Sequence, residues 1–130
     1  MKIIRFEDLE IWKLALKITK YIYDLTSKKE FSKDFELRNQ ARGSAISISS
    51  NIVEGFEKNN NNEFIRFLGI AKGSCGELRN QMCIALTVGY ITQDEFNKAN
   101  DMLLELAGKI GKFISYLENQ RKQGNFIKTR

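Results

Sequence analysis

Apolar residues return every three or four positions in four separate stretches of the chain, the spacing of one face of an α-helix. Ile11, Ala15, Ile18, Ile22 and Leu25 make the first stripe, and Leu37, Ala41, Ala45, Ile48 and Ile52 the second. Phe64, Leu68, Ala71, Cys75, Leu78, Met82 and Ala85 form an unbroken heptad. Phe96, Ala99, Leu103, Leu106, Ile110, Phe113 and Leu117 complete the set. The spacing predicts helices near 8–27, 35–57, 62–88 and 93–119. Ala45-Ile-Ser-Ile-Ser49 alternates like a strand, but the helical stripe continues on both sides of it without a turn residue. A lone strand would also leave its backbone groups unpaired, so a helix is expected there.

The breaks carry start and stop signals. Asp8 is placed to cap or electrostatically complement the start of the first helix, and Lys28 and Lys29 suit its negative C-terminal end. Ser32 to Phe35 leads into the second helix, with Gly55 near its stop. Lys58 and the asparagines 59–62 read as a loop whose Asn side chains cap the third helix, with Glu63 at its positive end. Gly89 is a C′ residue, and Thr92-Gln-Asp-Glu95 is a capping box. Short connections between amphipathic helices predict an all-α, antiparallel up-down-up-down four-helix bundle with a left-handed twist. The bundle should occupy residues 1–120. Beyond it the period is lost, and 121–130 reads as a basic tail.

Some of the pattern exceeds one core. Leu9, Trp12, Leu16 and Tyr23 lie off the first helix's main stripe, as do Phe67, Ile70 and Ile84 on the third. Either these widen the core or they meet a second copy; self-association is the sharper expectation. Beside the apolar face of the second helix runs a polar one, Gln40, Ser44, Ser47, Asn51 and Glu54. Its alternatives are a solvated face or a network in which Arg42, Asn51 and Glu54 satisfy one another. Trp12 and this polar stripe are the two candidate oligomer surfaces.

Composition removes most chemistries. The chain of 130 residues has no histidine, no proline and two cysteines, with a formal net charge of +5. Without histidine it lacks the commonest general base and the most frequent zinc ligand. Cys75 and Cys83 lie about 12 Å apart along one helix, too far for a disulfide, so both should be thiols. Glu54 and Glu77 could pair as carboxylates, although ion pairs with Arg42, Arg66 or Arg79 are the expected use. Gly69, Gly73 and Gly76 fall inside a helix, where close helix packing is expected rather than a phosphate loop. No enzyme activity, metal or cofactor is expected. No stretch approaches the roughly 20 apolar residues of a membrane span, and the expected location is the cytoplasm.

Phe6-Glu-Asp-Leu-Glu-Ile-Trp-Lys13, Gln40-Ala-Arg-Gly-Ser-Ala-Ile-Ser-Ile-Ser-Ser-Asn-Ile-Val-Glu-Gly55 and Glu63-Phe-Ile-Arg-Phe-Leu-Gly-Ile-Ala-Lys-Gly-Ser-Cys-Gly-Glu-Leu78 together carry a family resemblance. They resemble the bacterial four-helix-bundle family first noted in intervening sequences of 23S ribosomal RNA genes, over roughly residues 6–117. Gly43 departs from a frequent second arginine and Ser49 from a frequent proline, which implies a straighter second helix. The resemblance implies an antiparallel bundle assembled as a ring of five. It also implies kinship with accessory proteins whose basic rings engage a reverse transcriptase and nucleic acid.

The expected function is therefore that of a homo-oligomer, with a pentamer favoured, binding RNA or DNA without sequence preference. The candidate contacts are Lys109, Lys112, Arg121, Lys122, Lys128 and Arg130, followed by Arg38, Arg42, Lys72 and Arg79 on the helices. The competing expectation is a scaffold presenting a ring surface to a protein partner. The residues carrying oligomer contacts or a polar network would be Trp12, Arg42, Ser47, Asn51, Glu54 and Glu77.

Overall fold

The computed structural model describes residues 3–124. A 3₁₀ turn at Phe6–Asp8 precedes α1 (Glu10–Thr26), and α2 (Lys29–Lys33) is a single short helix. The long helices α3 (Phe35–Glu57), α4 (Asn61–Thr87) and α5 (Gln93–Lys122) follow. No strand occurs among the described residues, and Ala45–Ser49 lies within the unbroken α3.

Each long helix packs against the next, and α1 closes on α5. Individual contacts fix the directions. Between α1 and α3, Thr19 approaches Ala45 while Thr26 meets Arg42. Between α3 and α4, Ser47 meets Ser74, while Gly55 lies against Phe64 and Phe67. Between α4 and α5, Arg79 meets Asn100 and Phe64 meets Phe113. Glu10 meets Lys109 while Lys28 meets Glu95 across α1 and α5. In every pair the numbers rise on one helix as they fall on the other, so the four long helices form an antiparallel bundle. The stripes read from the sequence bury its core: Ile18, Ile22, Ile48, Leu68, Leu78 and Leu106 are each at most 1% exposed.

The caps explain where the helices begin. Asn60 accepts from the Glu63 amide at the head of α4, and Asp34 accepts from the Leu37 amide at the head of α3. Thr92 and Glu95 complete the reciprocal capping box of α5. Gly89 ends the turn after α4 with φ +85°, a left-handed conformation that suits glycine. Asp8 does not cap α1. Leu9 stands at the N-cap without a side-chain bond, and Asp8 pairs with Arg5 instead. The last helix outruns its expected end. Arg121 and Lys122 stand on its final turn, and Arg121 donates to Asn62 Oδ1 at 2.8 Å.

Candidate nucleic-acid interface

A surface that grips phosphates needs cations not already committed to carboxylates. By that criterion several basic residues are already committed. Arg5, Lys20, Lys28, Lys33, Arg66 and Lys109 each have an acidic partner within 4.0 Å. Lys109, an expected contact, donates to Glu10 Oε1 at 2.6 Å. That hydrogen bond holds the Lys109 ammonium pKa above its ordinary range and the Glu10 carboxyl below its own. Lys109 is thus a latch between α5 and α1 rather than a free cation.

Other basic groups are occupied without a carboxylate. Arg38 donates to the Ser32 carbonyl and lies 4.7 Å from the centre of the Phe35 ring. Arg79 donates to Asn100 Oδ1 at 2.8 Å.

Lys72, Lys112 and Lys122 have no ion-pair partner among the described residues. All three are exposed. The Lys72 ammonium reaches from α4 onto α5, 3.5 Å from where a Cβ on Gly111 would sit, while Lys112, about 100° further round α5, lines an open groove with Asp8, Glu10 and Lys109. Lys122 stands about 15 Å further along α5 and about 80° round from Lys112, toward the α4 side. Arg121, bonded to Asn62, marks the end of this α4/α5 face. Lys128 and Arg130 lie outside the described residues.

The polar stripe of α3 is arranged differently from the expected network. Arg42 donates to Thr26 Oγ1 at 2.8 Å and to Ser27 Oγ at 3.2 Å, and stacks on Tyr23. Arg42 and Asn51 stand about 13 Å apart along the helix axis, too far to share a bond. Asn51 instead donates to the Ser47 carbonyl and hydroxyl, and Ser47 exchanges a 2.9 Å hydrogen bond with Ser74 across α3 and α4. Glu54 is exposed and makes no ion pair among the described residues; nor does Glu77. The arginines expected to meet them have taken Thr26, Glu63 and Asn100.

Trp12 is half-buried, its ring edge-on to Phe6 at 5.3 Å, so part of the surplus apolar surface of α1 serves the chain itself. Leu9 and Phe67 are likewise buried. Leu16, Tyr23, Ile70 and Ile84 remain exposed. Gly69, Gly73 and Gly76 are open: a Cβ added to any of them would meet nothing within 4 Å. They do not serve close packing within the chain.

No group of three or more metal-ligating side chains occurs among the described residues. No described helix is long and apolar enough to cross a membrane.

Fold and surface together define a helical bundle whose exposed lysines without a carboxylate partner include Lys72, Lys112 and Lys122, and also Lys13 and Lys17 on α1. The chain belongs to the family of 23S rRNA-intervening sequence proteins, whose model matches residues 7–112. It is similar to a protein of unknown function from the S23 ribosomal protein family of Bacteroides thetaiotaomicron, with a TM-score of 0.73 at 22% identity. That similarity covers 80% of this chain and 97% of the other, and it concerns the fold. No curated protein matches.

Proposed function

We propose that this chain is a non-enzymatic, oligomeric module that binds RNA or DNA through phosphates, with little sequence preference. The observation that carries the proposal is the α4/α5 face, where Lys72, Lys112 and Lys122 stand exposed and unneutralised while neighbouring cations are bound to carboxylates. A lysine ammonium grips a phosphate as a point charge, which suits backbone binding and carries no base readout. The family's name, which refers to a ribosomal RNA gene insertion, is consistent with this reading. Assembly would repeat the lysine face on one particle and raise avidity, and a ring of five is the assembly the sequence resemblance implies.

The test is fluorescence anisotropy with unrelated ~20-nucleotide RNA and DNA probes across a salt series. Affinity should fall with salt, the slope of log affinity against log salt steepening by about 0.7 to 0.9 per phosphate neutralised. Replacing Lys72, Lys112 and Lys122 together with alanine should flatten that slope by roughly two units and weaken binding, with helicity unchanged. No binding at ~50 mM salt would overturn the proposal.

The second reading is a protein-binding scaffold, favoured by the exposed Leu16, Tyr23 and Ile46. It expects the triple variant to change nothing.

A further inference from the structure

Between α3 and α4, away from the lysine face, lies an open groove of about 350 Å³ whose lining includes Gly43, Ser47, Ser74, Glu77 and Gln81. Ser74 and Lys72 are two residues apart on α4, so they point about 200° away from each other round the helix. The groove and the lysine face are therefore separate surfaces of one helix.

The groove is unusual in what it leaves unmet. Gln81 is 7% exposed, and its Oε1 is buried without a hydrogen-bond partner. A buried acceptor left in that state costs about 1–3 kcal/mol, so such an atom marks a place where a donor belongs. Turning the amide about its soft terminal torsion would exchange its oxygen and nitrogen, presenting the oxygen to the groove and the NH2 donors to the buried position. One turn earlier on the same helix, the Glu77 carboxylate is exposed and has no ion-pair partner among the described residues. Ser47 and Ser74 already satisfy each other at 2.9 Å, with Asn51 donating to Ser47 Oγ. They form a polar wall with spare lone pairs. No cation lines the groove. On the α3 side a Cβ added to Gly43 would meet nothing within 4 Å, which leaves the entrance clear.

We propose that this groove is a binding site for a single guanidinium group, held by charge-assisted hydrogen bonds to Glu77 and a hydrogen bond to the Gln81 amide oxygen. The guanidinium fits because it is planar, always charged and carries five donors in a fixed fork. A carboxylate and an amide oxygen on one helical face offer that fork two acceptors, and the Gln40 amide and Ser44 hydroxyl that also line the groove can accept as well as donate. An anionic or apolar ligand would face Glu77 without compensation. The site is independent of nucleic-acid binding, which the opposite face of α4 would serve.

The experiment is NMR titration of the intact chain with agmatine, with a doubly blocked arginine, and with the corresponding blocked citrulline as the neutral isostere. Agmatine and blocked arginine should shift the Gln81 side-chain amide resonances and the Ser47 and Ser74 signals, and citrulline should not. Equal affinities for the two cations would identify the guanidinium group alone as the ligand. Binding by blocked arginine only would identify an arginine within a polypeptide. Glu77→Gln should weaken binding about tenfold, the loss expected for one charge-assisted hydrogen bond. Gly43→Arg should fill the groove from within, abolish binding of added ligand and leave the helical circular dichroism intact. Absence of Gln81 shifts with either cation, or undiminished binding by Glu77→Gln, would overturn the proposal.

Discussion

Glycines at two positions show how differently one residue type can be used. A Cβ on Gly55 would sit 2.8 Å from Phe67 Cβ and 3.1 Å from Phe64 Cδ1, so α3 and α4 approach there only because that atom is missing. Gly55→Ala should destabilise the fold by about 1–3 kcal/mol through overpacking. At Gly108 a Cβ would meet nothing within 4 Å, and Gly108→Ala should stabilise by up to about 1 kcal/mol through helix propensity. Urea unfolding of the two variants should show opposite shifts of the midpoint. The cysteines make a similar contrast. Cys83 is exposed, whereas burial pushes the Cys75 thiol up to about 11 from an ordinary 9.0. The neutral thiol is favoured by the folded state, so its contribution to stability is complete below pH 9 and is lost as the pH rises toward 11. A thiol reagent at neutral pH should label Cys83 in the native protein and Cys75 only after unfolding. The core role of Cys75 was legible in the heptad. Gln81 was not, because a polar residue three positions after Leu78 reads as solvated unless the neighbouring helix is known to cover it.

The long helices follow the apolar period closely, since each stripe is long enough to register and three of the four begin at a polar cap. The short α2 escaped because five residues with one buried side chain, Phe31, carry no period. Tertiary packing holds it in place. Phe31 is fully buried, with its ring centre 5.3 Å from that of Tyr90, and the Tyr90 hydroxyl donates to Asp34 at 2.9 Å. Thr92→Ala should remove one side of the capping box and cost about 1 kcal/mol, measurable in the same urea titration, without loss of α5. Glu95, the other half of the box, also accepts from Lys28, and that bond together with the Thr92 amide holds its carboxyl below the ordinary range. A depressed carboxylate contributes stability that is present above its unfolded value and lost as the pH falls through its folded one. Glu95→Gln should therefore flatten the acid limb of the stability profile while changing the alkaline limb little.

At the scale of the whole molecule, a surplus of apolar surface was legible, but its location was not. A sequence stripe cannot show that Phe6 covers Trp12 or that Leu9 turns inward. What stays uncovered on α4 is Ile70 and Ile84, 42% and 41% exposed, beside the open Gly69, Gly73 and Gly76. If copies meet through this face, Ile84→Lys should shift the light-scattering mass toward monomer with circular dichroism unchanged. A monomeric wild type at micromolar concentration would defeat the oligomer reading. The seam between α1 and α5 has a consequence for the birth of the chain. Glu10 and Lys109 are separated by 99 positions, and α1 can dock on α5 only once both have been made. At ordinary ribosomal speeds of roughly 5–20 residues per second, that is about 5–20 s during which the apolar stripe of α1 has no α5 to lie against. The α3–α4 hairpin can close in that interval, but the first helix must wait for the last. Slow translation would therefore lengthen the period of greatest exposure to aggregation, while a truncation before Lys109 would leave the first helix permanently without its final neighbour.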